Sequence, residues 1–188
     1  MNFNQSLILA SNSPRRKQLL QEAGFTFTVK TKETDEDFPD DLPVIKVARY
    51  LAEKKAEAFR EELSEAIIIT ADTVVICEGI SLAKPAHKKE ALAMLQTLSG
   101  KKHQVVTGMC LLNVKKKISF EVITEVYFKD LSGEEIDHYI DNYKPYDKAG
   151  AYGIQEWLGL IGIERINGSY YNVVGLPVQR LYEELKNF

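Results

Sequence analysis

The run Ile67-Ile68-Ile69-Thr70-Ala71-Asp72-Thr73-Val74-Val75-Ile76 constrains the fold of this chain more than any other. It is rich in β-branched side chains and too apolar for an edge, so it predicts a strand covered on both faces. Such a strand needs a sheet neighbour on each side and a packed layer above and below. That places it centrally in a sheet flanked by helices. Asp72 is the misfit. Aspartate is disfavoured in strands, and a buried carboxylate is costly unless it is paired or binds a metal. Either backbone N–H groups or an arginine satisfy it, or it is a general base or metal ligand where the strand meets a cleft. The functional reading is favoured. With the acidic stretch Thr34-Asp35-Glu36 it could hold a divalent cation through oxygen ligands.

Leu7 to Ala10 reads as a short buried strand, followed by a tight turn and a helix that stops near Gly24. Ser13 is a good N-cap, and Pro14 suits the first helical position, where a missing N–H costs nothing. Arg15 and Arg16 then occupy the first turn, against the helix dipole. Free N–H groups, the dipole and two guanidinium forks would together hold a phosphate; two solvated arginines are the plainer alternative. Phe25 to Val29 reads as a strand. Pro43 opens a helix with an apolar stripe at Val44, Val47, Ala48 and Leu51, and the stripe continues onto Lys55 and Phe59. A lysine on that face snorkels its amine to the rim or points it into a pocket. Lys84 precedes Pro85 and is therefore held extended.

His87 to Leu98 predicts an amphipathic helix ending at Ser99-Gly100. Strands at His103 to Leu112 and Ile118 to Phe128 surround the turn Lys115-Lys116-Lys117. Their antiparallel pairing favours a mixed sheet. Ser132 and Glu135 form a capping box for a helix to Tyr143, and Pro177 to Phe188 is a last amphipathic helix. Between them, Asp147-Lys148-Ala149-Gly150-Ala151-Tyr152-Gly153-Ile154-Gln155 combines small residues that allow close approach of a ligand with a lysine and a glutamine able to read a base edge.

A formal net charge of -3 argues against a sequence-independent nucleic-acid binder. No segment reaches membrane-spanning length. Cys77 and Cys110 sit in apolar runs as buried thiols, with no disulfide framework or zinc spacing, so a reduced, cytoplasmic setting is expected. No Walker loop, dinucleotide fingerprint or Ser-His-Asp set is present, and none of the three histidines is assigned to catalysis.

Taken in order, these segments resemble the Maf family of nucleoside triphosphate pyrophosphatases, also described as septum-formation inhibitor-like proteins. The resemblance rests on Ala10 to Arg16, Ala71-Asp72-Thr73, Lys84-Pro85, Ser99-Gly100, His103 to Gly108, Asp147 to Gln155, Ile166 to Tyr170 and Val173 to Pro177. It spans the chain, residues 1–188, as one domain. It implies an inosine-triphosphate-pyrophosphatase-like α/β fold: a mixed, elongated central sheet flanked by helices, with an active cleft between two lobes. It implies metal-dependent cleavage between the α- and β-phosphates of a nucleotide, with Mg²⁺ or Mn²⁺ as cofactor. Asp72 would be the general base, with Glu36 and Asp72 as metal ligands. Ser11, Ser13, Arg16, Lys55 and Lys84 would bind phosphates. Arg15, Thr73 and Gln155 match the type acting on dTTP and UTP. The expected partner is a nucleoside triphosphate rather than nucleic acid or membrane, and monomer and homodimer both stay open. The competing readings are a nucleotide-binding regulator of cell division without turnover and a pyrophosphatase for modified nucleotides such as 7-methyl-GTP.

Overall fold

The computed structural model describes residues 5–188. The strands are β1 (Leu7–Leu9), β2 (Phe27–Val29), β3 (Ile67–Cys77), β4 (Ile80–Leu82), β5 (Lys102–Leu112), β6 (Lys117–Phe128) and β7 (Ile163–Asn167). The helices are α1 (Pro14–Glu22), α2 (Val47–Glu57), α3 (Lys88–Leu98), α4 (Gly133–Tyr143), α5 (Trp157–Gly162), α6 (Tyr170–Val174) and α7 (Val178–Lys186). One seven-stranded sheet has the order β2-β1-β3-β5-β6-β7, with β4 on β3 outside that path. β1 pairs parallel with β2 and β3, while β3–β4 and β6–β7 are antiparallel. The link from Leu112 to Lys117 is too short for a parallel crossover, so β5 and β6 form a hairpin. The sheet is therefore mixed, as the sequence predicts, and β3 is central to it.

The chain divides into two units: Met1–Asp72 with Thr107–Val122 and Gly175–Phe188, and Thr73–Val106 with Ile123–Val174. In the first, α2 buries Val47, Ala48, Leu51, Ala52 and Ala56. Its small residues bring the helix backbone close to the sheet. Thr70 Oγ1 donates to the Ala52 carbonyl at 2.6 Å, and a Cβ on Gly108 would overlap the backbone of Ala48 and Arg49. Each fully buried Val or Leu here contributes roughly 1.5–3 kcal/mol.

The core of the second unit joins Val75, Cys77, Val105, Val126 and Phe128 of the strands to Ala91, Leu95 and Leu98 of α3 and Ile136, Tyr139 and Ile140 of α4. The expected capping box opens α4, with both reciprocal bonds made between Ser132 and Glu135. His103 is a core residue, 1% exposed, with Nε2 at 2.8 Å from the Tyr152 hydroxyl and edge-on contacts to Phe128 and Tyr152. Burial pulls its pKa down to about 4.

β4, α5, β7 and α6 do not stand out in the sequence, because three to six residues carry no period that a pattern can register. Two boundaries move for local reasons. Pro43 opens a 3-10 turn, Val44–Lys46, ahead of α2, and His87 caps α3 from outside by accepting the Glu90 N–H at 3.3 Å. Among the described residues no helix is long and apolar enough to cross a membrane.

Candidate active site

β3 is buried along its whole length except at Asp72 and Thr73. The strand that most needs covering therefore opens at its one carboxylate. Asp72 Oδ1 takes a hydrogen bond from Lys55 Nζ at 2.5 Å. The same ammonium donates to Glu36 Oε1 at 3.0 Å. Lys55 lies on the inward face of α2 with a side chain 21% exposed, so its amine points inward onto two carboxylates instead of snorkelling outward. The neighbouring pair separates itself from this group. Asp35 takes its bond from Lys54, which holds the Asp35 carboxyl below the usual carboxylate range. This pairing sets the register of the acidic loop: Glu36 faces Lys55 and Asp72, and Asp35 does not.

The turn before α1 forms as its residues dictate. Ser13 Oγ accepts the Arg16 N–H at 3.4 Å, Ser11 Oγ accepts the Ser13 N–H at 3.2 Å, and Pro14 takes the first helical position. Arg16 bends back across this turn. Its Nε donates to the Gly175 carbonyl at 2.9 Å, and its Nη1 donates to the Ala71 carbonyl at 2.7 Å and to Ser11 Oγ at 3.3 Å. The guanidinium thus ties the turn to the residue before Asp72. Burial lowers the Arg16 pKa, while Asp72 and Glu36 act to raise it and Arg15 to lower it further. The expected phosphate residues Ser11, Ser13, Arg16 and Lys55 and the expected metal ligands Glu36 and Asp72 are thus brought together within the first unit, with Arg15 beside them.

Thr73, Lys84 and Gln155 belong to the second unit. Lys84 is exposed, and its side chain makes no ion pair or hydrogen bond among the described residues. Gln155 is exposed at the end of the small-residue segment and lines a hollow of about 330 Å³ with Leu160, Ile163, Arg165 and Tyr170. Gly150 makes the turn behind it possible. It has φ 69°, and a Cβ there would press on Val75 at 3.0 Å.

Sequence reasoning missed a polar network under this segment. Lys148, 8% exposed, places its Nζ 2.7 Å from Asp147 and 3.0 Å from Glu156. Glu156 Oε2 accepts from the Tyr139 hydroxyl, which in turn accepts the Gly153 N–H at 3.0 Å. A charged pair flanking two glycines was the available signal. Tyr139 gave none, because it reads as one more residue of the apolar stripe of α4.

No cluster of three His, Cys, Asp or Glu side chains suited to a metal exists among the described residues. A cage built from protein ligands alone is therefore absent there. Magnesium, however, commonly takes only one or two carboxylates and completes its shell with substrate phosphates and water. Asp72 and Glu36 already converge on one cation, the Lys55 ammonium, so these two carboxylates fit such a site.

Residues 6–188 match the family model described as Maf-like protein. The chain is 54% identical over 182 residues to the dTTP/UTP pyrophosphatase of Phocaeicola vulgatus, covering 96% of this chain and 94% of that one. The proteins of the same name from Parabacteroides distasonis and Bacteroides fragilis are 50% and 48% identical, each covering at least 94% of both chains. Among solved structures, a HAM1 protein from Coxiella burnetii aligns with TM-score 0.37 and 14% identity over 66% of this chain and 73% of its own, a likeness too slight to add to the fold. With a family model matched from residue 6 to the last residue and relatives at about half identity along nearly their whole length, this chain belongs to the Maf family.

Proposed function

We propose that this protein hydrolyses dTTP and UTP to the nucleoside monophosphate and pyrophosphate. The observation that carries the reading is the convergence of Lys55 on Asp72 and Glu36 at the one opening in an otherwise buried strand. The relatives named dTTP/UTP pyrophosphatase support the choice of substrate.

Asp72 accepts a proton from the water that attacks the α-phosphorus. The bond to the α–β bridging oxygen breaks, and pyrophosphate leaves. Glu36 and Asp72 would hold Mg²⁺ or Mn²⁺, which when bound neutralises phosphate charge. Lys55, released from part of its carboxylate pairing, turns its ammonium toward phosphate oxygen. Ser11, Ser13 and the N-terminus of α1 offer hydroxyls and N–H groups to the same anion. Arg16 keeps that turn fixed to Ala71 and adds charge beside it. In the second unit, Lys84 neutralises phosphate and Thr73 and Gln155 read the base, with Arg15 of the first unit assigned to the same selection. Most of the rate then comes from positioning and charge stabilisation. The same reading puts the enzyme with its nucleotides in the cytoplasm.

Phosphorus NMR of a UTP digest tests the bond that is cut. UMP with pyrophosphate is expected. UDP with inorganic phosphate would move the attack to the γ-phosphorus and refute the reading.

A further inference from the structure

Glu36 lies in a stretch, residues 31–41, that forms no helix or strand and is exposed at every residue but Thr34. Phe38, its nearest large apolar neighbour in sequence, is 41% exposed. Burial in a core therefore does not hold this loop, and polar contacts fix where Glu36 sits. Lys54 makes two of them, one on each side of Glu36. Its Nζ donates to Asp35 Oδ1 and, at 2.9 Å, to the Asp37 carbonyl. Asp35 Oδ1 also accepts the Asp37 N–H at 3.2 Å. Asp35, Lys54 and Asp37 thus close a frame around Glu36. The Glu36 carboxylate is itself directed by Lys55 Nζ at 3.0 Å, the ammonium that also meets Asp72. Both lysines stand on α2, a firm platform whose Ala52 and Ala56 are buried with Cys110 and Leu112 of β5.

From this geometry we infer that Lys54 is a positioning residue for Glu36, holding that carboxylate beside Asp72 for the metal when Lys55 turns to phosphate. The inference rests on the proposed function, in which Glu36 and Asp72 hold the metal and Lys55 changes partners. Once Lys55 has turned away it no longer directs Glu36, and the frame keeps the second carboxylate in reach. Without the frame, the entropy lost in ordering an exposed loop is set against metal binding. Lys54 touches neither metal nor phosphate in this account. Charge alone predicts the opposite sign: Lys54 is a cation near a cation site, so its removal would tighten metal binding.

The test titrates Mn²⁺ without nucleotide, followed by electron paramagnetic resonance, in the wild type, Lys54→Met, Lys54→Arg, Glu36→Ala and the double variant Glu36→Ala with Lys54→Met. Tm is recorded for each. Lys54→Met should bind Mn²⁺ roughly 5-fold more weakly, the scale of one exposed ion pair and one charge-assisted hydrogen bond. Lys54→Arg, which keeps charge and donors for Asp35 and the Asp37 carbonyl, should restore most of the affinity. In the Glu36→Ala background, Lys54→Met should cause no further weakening. Equal or tighter binding in Lys54→Met would overturn the inference, as would the same weakening with Glu36 already gone. If Glu36→Ala leaves too little binding to measure, the Met and Arg variants decide alone. A wild type that takes up no Mn²⁺ also overturns it. Pyrophosphate release is read separately: a wild type that binds Mn²⁺ but releases none from any nucleotide refutes the proposed function, whereas an active wild type with unaltered Lys54→Met binding refutes this inference alone.

Discussion

The group around Asp72 and the segment around Gln155 are both built from charged and polar side chains, but they are held in opposite ways. In the first, Lys55, Asp72 and Glu36 satisfy one another, and Glu36 is still 55% exposed. These bonds can be exchanged for bonds to phosphate. In the second, Lys148, Glu156 and Tyr139 are bonded to backbone or buried beneath it, and Gln155 stands clear of them. The contrast separates two tasks. In the proposed reaction a charged phosphate chain would be received by groups that can change partners, and the base by a residue whose backbone surroundings stay fixed.

The largest effect that tests this division belongs to Asp72→Asn, which keeps shape and removes the base. Turnover of UTP should fall roughly 10²- to 10⁴-fold with the fold intact by circular dichroism. A near-normal rate would end the assignment of Asp72. Lys55→Met comes next. If the ammonium moves from carboxylates to phosphate, kcat/KM should drop roughly 10²-fold, as for other lost charge-stabilising donors. Titration calorimetry without nucleotide should then show tighter Mn²⁺ binding, because two carboxylates have lost their cation. Weaker Mn²⁺ binding would mean that Lys55 organises the carboxylates and does not compete with the metal.

The fixed region makes a prediction about pH. His103 is neutral in the folded core, with a pKa of about 4. Above the ordinary histidine value of about 6.5 it is neutral in both states and adds no pH dependence. As pH falls from there, the unfolded chain takes up a proton that the folded chain refuses, so stability is lost. Below about pH 4 both states are protonated and the loss is complete. It amounts to about 3 kcal/mol. Urea unfolding from pH 7 to pH 4 should show this slope in the wild type and lose it in His103→Phe. Gln155→Ala should have the smallest effect, roughly a 10-fold change in base preference by loss of one hydrogen-bonding pair. Equal slowing on every nucleotide would place Gln155 with the phosphate chemistry instead.

Much of this is legible in the sequence alone. The apolar run at Ile67 implies a central strand because burial on both faces removes alternation, and the aspartate inside it stands out as a misfit, either satisfied by its neighbours or kept for chemistry. Lys55 was visible as a charge on an apolar stripe. The sequence left open where its amine went, since that depends on which loop carboxylate reaches it across a fold. Arg16 shows a different limit. Its place against a helix dipole suggested an anion, and the structure answers with the carbonyls of Ala71 and Gly175, acceptors that every residue carries and no pattern can flag. Tyr139 was invisible for a related reason: its ring fits the apolar face of α4, and its hydroxyl meets a backbone N–H that only tertiary contact brings near.

The most direct measurement is pyrophosphate release from dTTP, UTP, CTP, GTP, 7-methyl-GTP and ITP, each with Mg²⁺, with Mn²⁺ and with chelator. Release that needs metal and favours dTTP and UTP is the predicted result. Nucleotide binding without release from any of the six would contradict the account and turn the protein into a binder without turnover.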